Sequence, residues 1–303
     1  MMAPFKSSGT QRGFTLVEAV LVMVVVGILA GILVIFIRRP VQNYVDSAAR
    51  AEMSEAADVA LRRMTRELRA ALPNSVRTEV VDGVQWLEFI PTKAGGQYLA
   101  YEDNPTLGIA LSFNATNAQA FSVVGPMPVA PHAVVPGDFI VVYNLGAGFD
   151  RADAYARGNL ALVTGVNGNN IGFESYREGV QHPNNENPFA VAAGQTPNAS
   201  PDHRFQVVGR PVTFRCQGAA NGGGTLTRSV AADFSVKQPQ PTAEAGALLA
   251  NNVLSCSFSA TSTANRQSAL IGLNLSLARP SPNSPNGLET VTLSHQVHVD
   301  NTP

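Results

Sequence analysis

The sequence Gly13-Phe14-Thr15-Leu16-Val17-Glu18 begins an apolar run that continues to Ile37. Apart from Thr15 and Glu18, residues 14–37 are apolar or glycine. As an α-helix, these residues would be about 36 Å long, more than the roughly 30 Å thickness of a membrane's hydrocarbon core. The sequence therefore predicts a helix that crosses a membrane, preceded by a short polar segment.

A secretory signal peptide and a plain membrane anchor are two ordinary alternatives for this run. A signal peptide has a shorter apolar region and a small-residue cleavage site, whereas this run reaches Arg38-Arg39 without such a site. A plain anchor fits the hydropathy but does not explain Glu18. A carboxylate within an apolar span costs up to about 3 kcal/mol and usually indicates a function that involves a partner.

The hexapeptide from Gly13 to Glu18 resembles the processing site of type IV pilins and type II secretion pseudopilins. The resemblance implies that a prepilin peptidase cuts after Gly13, removes residues 1–13 and methylates the new N-terminal Phe14. It also implies that Glu18 pairs with the positive α-amino group of Phe14 on a neighbouring subunit during filament assembly, which offsets the cost of its burial. The other implied partners are minor and major pilin subunits and an inner-membrane assembly platform.

The same resemblance implies where the chain is located. The peptidase acts at the cytoplasmic face, so we expect a single pass through the inner membrane and a periplasmic C-terminal domain, later incorporated into a pilus or pseudopilus. Charge alone does not orient the helix, because Lys6 and Arg12 on one side are balanced by Arg38 and Arg39 on the other.

Residues 40–73 are predicted to continue the helix as an amphipathic segment, with an interruption or kink at Pro40. One apolar stripe recurs there at helical spacing and consists of Leu61, Met64, Leu68 and Leu72. The predicted domains are a cleaved leader at 1–13, a transmembrane and filament-core helix at 14–39, its continuation at 40–73, and a β-rich head at 74–303.

The head is predicted from strand and turn signals. Val76–Val81, Asp82-Gly83 and Val84–Ile90 predict a β-hairpin with a two-residue type I′ turn. The other strand candidates are Ala120–Val124, Phe139–Tyr143, Leu160–Val166, Ile171–Phe173, Val212–Cys216, Val253–Phe258, Ala269–Leu277 and Glu289–Val299. The expected fold is α+β and pilin-like: a long N-terminal helix packed on an antiparallel sheet, with an enlarged β-rich head.

Two further stretches resemble minor pilins of the MSHA (mannose-sensitive haemagglutinin) type: the stalk-to-head junction Arg62–Arg77 and the C-terminal stretch Leu293–Asn301. The resemblance implies a structural role in priming the tip complex from which the major pilin polymerises. Two alternatives stay open. One is the J-type minor pseudopilin of a type II secretion system, which the C-terminus resembles more loosely. The other is a tip-displayed subunit that binds a glycan or DNA.

The two cysteines, Cys216 and Cys256, lie in strand-like surroundings and lack CxxC spacing. Two buried free thiols are one interpretation. Because the resemblance places the head outside the cytoplasm, where disulfides persist, we expect the cysteines to pair. Closing the 41-residue loop from 216 to 256 would contribute about 4 kcal/mol on the loop-entropy model.

Neither a catalytic nor a cofactor site is predicted. HExxH, GxSxG and Walker A motifs are absent, and the balance of 21 basic to 22 acidic residues gives no general attraction for nucleic acid. His295 and His298 are three apart on a predicted strand, so they should point to opposite faces. Asp138, Asp150 and Asp153 lack the spacing of an EF-hand, so no calcium site is predicted.

Overall fold

The computed structural model describes residues 13–103, 106, 108–176, 186–238, 246–262, 268–282, 284 and 286–303. The first twelve residues of the predicted leader lie outside this set, as does most of the turn-rich stretch between His182 and Pro188. The chain divides into two compact units, Met1–Glu52 and Met53–Pro303. In the described residues, one long α-helix is followed by strands that pair antiparallel throughout, which confirms the predicted α+β class.

Helix α1 extends from Leu16 to Leu68 and includes Pro40 in its interior. Of the predicted interruption or kink at Pro40, the interruption is wrong, because loss of one backbone donor leaves the hydrogen bonds of the flanking turns in place. A kink at Pro40 stays a prediction. The helix also ends four residues before Leu72. Ala71 instead forms a bridge with Pro91, flanked by hydrogen bonds from the Leu72 N–H to the Ile90 carbonyl and from the Thr92 N–H to the Ala70 carbonyl.

The strands in chain order are β1 Arg77–Val81, β2 Val84–Phe89, β3 Thr92–Tyr98, β4 Ala120–Val124, β5 Phe139–Val141, β6 Leu160–Asn167, β7 Asn170–Ser175, β8 Arg204–Val208, β9 Val212–Gln217, β10 Gly224–Val230, β11 Ala247–Ser262, β12 Ser268–Pro280 and β13 Leu288–Asp300.

A seven-stranded sheet has the order β1-β2-β9-β10-β11-β12-β13, and the C-terminal part of the helix packs against it. The predicted hairpin is confirmed: Val81 pairs with Val84, and Asp82 and Gly83 both have positive φ, as a type I′ turn requires. Three residues of the predicted stripe, Leu61, Met64 and Leu68, are fully buried in the core under the helix. Leu72 is also fully buried, but it lies beyond the end of the helix and packs in a separate cluster with Ile90 and Phe139. The core between helix and sheet contains Met53, Ala57, Leu61, Met64, Leu68, Leu87, Phe89, Phe214, Leu226, Ile271, Leu273, Leu275, Val297 and Val299.

A closed barrel with the order β3-β4-β7-β6-β5-β8 is inserted between β2 and β9. The sequence candidates did not include β3 or β8, so closure of a barrel was not foreseen. Its core is aromatic: the Phe121 ring centroid lies 5.8 Å from that of Phe173 and 5.1 Å from that of Phe205. The two ends of the insertion are neighbours, since the Gly209 N–H donates a hydrogen bond to the Pro91 carbonyl at 2.9 Å.

Candidate functional site

The candidate processing and assembly residues lie at the start of α1. Gly13 and Phe14 precede the helix, and the Phe14 side chain is 79% exposed. The Thr15 side-chain oxygen accepts a hydrogen bond from the Glu18 backbone N–H at 3.3 Å, and the Thr15 carbonyl accepts one from Ala19 at 3.2 Å. Thr15 is therefore the N-cap of α1, and Glu18 occupies its first turn.

This cap is a feature that sequence reasoning missed. Thr15-Leu16-Val17-Glu18 fits the S/T-x-x-E capping-box pattern, in which the N-cap hydroxyl satisfies the backbone N–H of the acidic residue. A carboxylate in the first turn is also stabilised by the positive end of the helix dipole. Glu18 therefore has a local role within its own helix, in addition to the intersubunit pair that the resemblance implies.

The surface of the helix before Pro40 is apolar and uncovered. Every described side chain from Phe14 to Val34 is exposed. The described residues contain one helical segment that is long and apolar enough to cross a membrane, and none of that segment is buried inside the structure. So much contiguous apolar surface is unfavourable in water and requires lipid or other helices around it.

Gly27 and Gly31 belong to this uncovered surface. A methyl group added to either residue would meet no atom within 4 Å outside the helix's own backbone. The packing of the described chain therefore does not require glycine at these two positions. Their i, i+4 spacing is the small-xxx-small pattern that lets membrane helices approach closely.

Cys216 and Cys256 form a disulfide in the structure, with 6.4 Å between their Cα atoms. It joins β9 to β11, two strands that each pair with β10. Cys216 is fully buried in the core between helix and sheet, and Cys256 packs partly buried against the same core. The bond therefore links two strands in the middle of the sheet. Both cysteines are far from the processing residues along the sequence.

A buried ion pair joins β1 to β2 in the seven-stranded sheet. The fully buried Glu88 accepts hydrogen bonds from the Arg77 guanidinium and, at 2.9 Å, from the Thr213 hydroxyl. The guanidinium lies 3.6 Å from the centroid of the Tyr155 ring and also donates to the carbonyl of Val236 at 2.8 Å. Burial raises the pKa of Glu88 above 4.5, and the Arg77 charge together with these hydrogen bonds opposes part of that shift.

Two of the acidic residues considered for metal binding have other partners. Both carboxylate oxygens of Asp138 bind the Lys93 ammonium, and an Asp153 oxygen accepts the Tyr155 N–H. Among the described residues, no group of three or more His, Cys, Asp or Glu side chains is placed to hold a metal ion. His295 is half-buried with a nitrogen 3.7 Å from Asp58, whereas His298 is exposed on the opposite face of β13, as predicted.

Comparison with known proteins identifies the N-terminal segment. Residues 9–34 match the family model of the prokaryotic N-terminal methylation motif. No curated protein and no solved structure matches the chain. The matched range contains the candidate cleavage site, Glu18 and most of the uncovered apolar helix. The chain therefore carries a type IV pilin-like N-terminal methylation motif, which is a substrate signal for prepilin peptidase.

Proposed function

We propose that the chain is a minor pilin that helps to initiate or assemble an MSHA-like type IV pilus. The proposal rests on one observation: the methylation motif coincides with the start of an apolar helix that the rest of the described chain does not cover. Cleavage between Gly13 and Phe14 gives a chain that starts with a positive amine one turn before the Glu18 carboxylate. The helix then supplies surface for other helices, and the chain acts as a structural subunit without turnover of a substrate.

The proposed assembly step begins in the inner membrane, with the head in the periplasm. The Glu18 carboxylate pairs with the Phe14 amine of a neighbouring pilin, because unpaired charges in an apolar environment are costly. This pairing sets the register of adjacent helices, and Gly27 and Gly31 allow them to approach closely. Major and minor pilins and an inner-membrane assembly platform are the proposed partners.

The link to the MSHA group rests on two stretches that meet in the structure. The Asn74 N–H donates to the Asn301 side-chain oxygen at 3.1 Å, and the Asn74 amide donates to the Asn301 carbonyl at 3.2 Å. The junction and the C-terminus, the stretches that resemble this group and in particular its biogenesis protein MshO, therefore form one structural feature. The MSHA group is proposed ahead of the J-type pseudopilin because the C-terminal stretch resembles the latter more loosely.

A paired assay in a strain that lacks this gene tests the proposal. Surface pili and secreted enzymes are quantified after complementation with wild type, Glu18→Ala or Thr15→Ala. We expect loss of pili with normal secretion, rescue by wild type and Thr15→Ala, and no rescue by Glu18→Ala. Normal pili with failed secretion would instead identify a pseudopilin.

The inserted barrel favours a second candidate function, that of a binding module displayed at the filament tip. The barrel has a closed core of its own, distinct from the core under the helix. A subunit needed only to prime assembly does not require such an insertion. Normal pili and normal secretion in the deletion strain, with loss of attachment to glycans or DNA, would support this function instead.

A further inference from the structure

One stripe of side chains at the C-terminal end of α1 is exposed, on the side of the helix opposite to the buried stripe. Its members follow one another at spacings of four, three, four and three: Glu55, Val59, Arg62, Arg66 and Arg69. Residues at these spacings lie on one face of a helix. Arg69 directly follows the last helical residue, and its N–H still donates to the Thr65 carbonyl four residues back. We call this face the outer stripe.

The arginines of the outer stripe differ in their partners. Arg62 is paired with Asp58 at 2.7 Å, whereas Arg66 and Arg69 have neither a hydrogen bond nor an ion pair within the described part of the chain. Every other described arginine between Met53 and Pro303 donates to a carboxylate, a carbonyl or an amide oxygen. Two adjacent free guanidinium groups therefore distinguish this end of the stripe.

The other end of the outer stripe carries a free charge of the opposite sign. Glu55 lies eleven residues before Arg66, is exposed, and has no hydrogen-bond or ion-pair partner among the described residues. Between the free charges lies Val59, whose side chain is 60% exposed. The stripe thus has a carboxylate at one end, an apolar side chain near its middle and two guanidinium groups at the other end.

Two outer stripes that run in the same direction are complementary only when one is shifted along the helix axis. In register, Glu55 would face Glu55 and Arg66 would face Arg66, and like charges oppose association. A shift of eleven residues, about 16 Å, places Glu55 of one copy beside Arg66 of the other. Arg69 then lies within one turn of the same carboxylate, and Val59 of the first copy faces Ala70 of the second.

The membrane supplies the common direction and the proximity that this contact needs. Both copies enter one membrane through the apolar helix before Pro40, which disfavours the antiparallel pair that would also bring the opposite charges together. Exposed ion pairs add little affinity by themselves. Between chains that are already concentrated in one membrane, however, they select the register of the contact.

We propose that the outer stripe of one copy packs against that of a second copy, shifted along the helix axis by about 16 Å, with Glu55 of one beside Arg66 and Arg69 of the other. Such a contact joins different ends of the two stripes, so it leaves one end of each free for a further subunit. The inference rests on the proposed function, because the common direction follows from anchoring in one membrane. It adds that two copies of the chain are neighbours during assembly.

Cysteine cross-linking of two differently tagged full-length copies in cells tests the proposal. One copy carries Val59→Cys and the other Ala70→Cys, two exposed positions whose replacement leaves every charge of the outer stripe in place. The native cysteines are already joined to each other. The shifted pair brings positions 59 and 70 together. An in-register pair instead joins 59 to 59, and an antiparallel pair with its charges matched leaves 59 and 70 apart.

We expect the combination of Val59→Cys with Ala70→Cys to give a disulfide-linked product in several-fold higher yield than Val59→Cys in both copies. A higher yield from Val59→Cys in both copies would show an in-register contact and overturn the proposal. Absence of product from both combinations would overturn it as well.

Reversal of the charges tests whether they select the shift. Arg66→Glu with Arg69→Glu in the copy that carries Ala70→Cys should lower the yield several-fold. Glu55→Arg in the other copy should then restore it, a rescue that damage to the fold would not produce. Lys237→Glu changes an exposed cation outside the helix and is the control, which should leave the yield unchanged. An unaltered yield after the arginine reversal, or no rescue by Glu55→Arg, would contradict the proposal.

A probe on the N-terminal helix separates failure of this proposal from failure of the proposed function. A benzophenone amino acid in place of Val20, which is exposed on that helix, reports contacts with other pilins. An adduct with a pilin-type protein, without the product that joins positions 59 and 70, would overturn the shifted pair and leave the proposed function intact. Absence of both, at normal membrane levels of the protein, would overturn the proposed function too.

Discussion

The side-chain oxygen of Thr15 lies 3.3 Å from the backbone nitrogen of Glu18 and accepts its hydrogen bond. This contact completes one half of a capping box within a single subunit. The bond uses the Glu18 backbone N–H, which alanine would retain. The Glu18 side chain has two candidate roles that alanine removes: a return hydrogen bond to the Thr15 N–H, which would complete the box, and an ion pair with the Phe14 amine of another subunit.

Glu18→Gln separates these two roles. Glutamine serves a capping box as glutamate does, but it has no charge with which to pair an amine. We expect Glu18→Gln to abolish piliation nearly as completely as Glu18→Ala, whereas Thr15→Ala costs only about 1 kcal/mol of helix stability. Counts of sheared surface pili provide the measurement. Full piliation with Glu18→Gln would show that the cap, and not the charge, is the essential feature.

Replacement of Gly13 should prevent removal of the leader. A side chain at the residue before the cleaved bond is expected to exclude the chain from the peptidase, so Gly13→Val should accumulate with residues 1–13 attached. Mass spectrometry of the N-terminal peptide measures this directly. Gly27→Ala, a glycine inside the same motif but away from the bond, is the control and should be processed normally. A mature N-terminus at Phe14 in Gly13→Val would contradict the assignment of the cleavage site.

Reduction of the Cys216–Cys256 bond should destabilise the head. Opening a loop of this length removes up to about 4 kcal/mol from the free energy of unfolding. Denaturant unfolding of the detergent-solubilised chain, with and without reductant, measures the difference. The double variant Cys216→Ala with Cys256→Ala is the control and should not respond to reductant. Equal stability of oxidised and reduced wild type would contradict a structural role of the bond.

Stability should depend on the protonation of Glu88. Because burial raises its pKa above 4.5, the folded chain retains a proton at pH values where the unfolded chain has released it. This contribution to stability therefore grows as the pH falls through the folded pKa and is complete below about 4.5. Residue 88 cannot titrate in the variant Glu88→Gln. The Arg77 guanidinium also donates to the carbonyls of residues 235–237, and these hydrogen bonds do not involve Glu88.

The melting temperature of wild type relative to Glu88→Gln should thus rise as the pH is lowered from neutral to about 4.5. Thermal unfolding of both proteins across this range provides the measurement. A parallel response of the two proteins to pH would show that the pKa of Glu88 is not raised in the folded chain.

Truncation of the buried helical stripe should be costly. Met64 is fully buried in the core under the helix, so Met64→Ala is expected to lower the free energy of unfolding by about 2–5 kcal/mol. Val59 on the same helix is 60% exposed, and Val59→Ala should cost less than about 0.5 kcal/mol. Denaturant unfolding distinguishes the two variants. Similar losses would mean that the helix does not pack on the sheet through this stripe.

Features that depend on local patterns could be predicted from the sequence alone. The apolar run after Phe14 specifies a long helix, because its hydrophobicity and length are properties of contiguous residues. The Asp82-Gly83 pair specifies the hairpin, because both residues tolerate the positive φ of its turn. The stripe that includes Leu61 and Met64 specified the buried helix face through its spacing alone.

Features that join distant residues could not be predicted in this way and depend on the folded chain. Gly95-Gly96 resembles a turn in sequence, yet it lies in β3, where a Cβ on Gly96 would lie 2.9 Å from the Phe205 ring. The fit therefore depends on a residue more than a hundred positions away.

Two further features depend on distant strands in the same way. Glu88 is buried because Arg77 and Thr213 surround it from the strands on either side. The periodicity of β13 predicted a strand, but its place at the edge of the sheet depended on which strands pair. Such pairings are set by long-range packing and loop closure, which a local pattern does not encode.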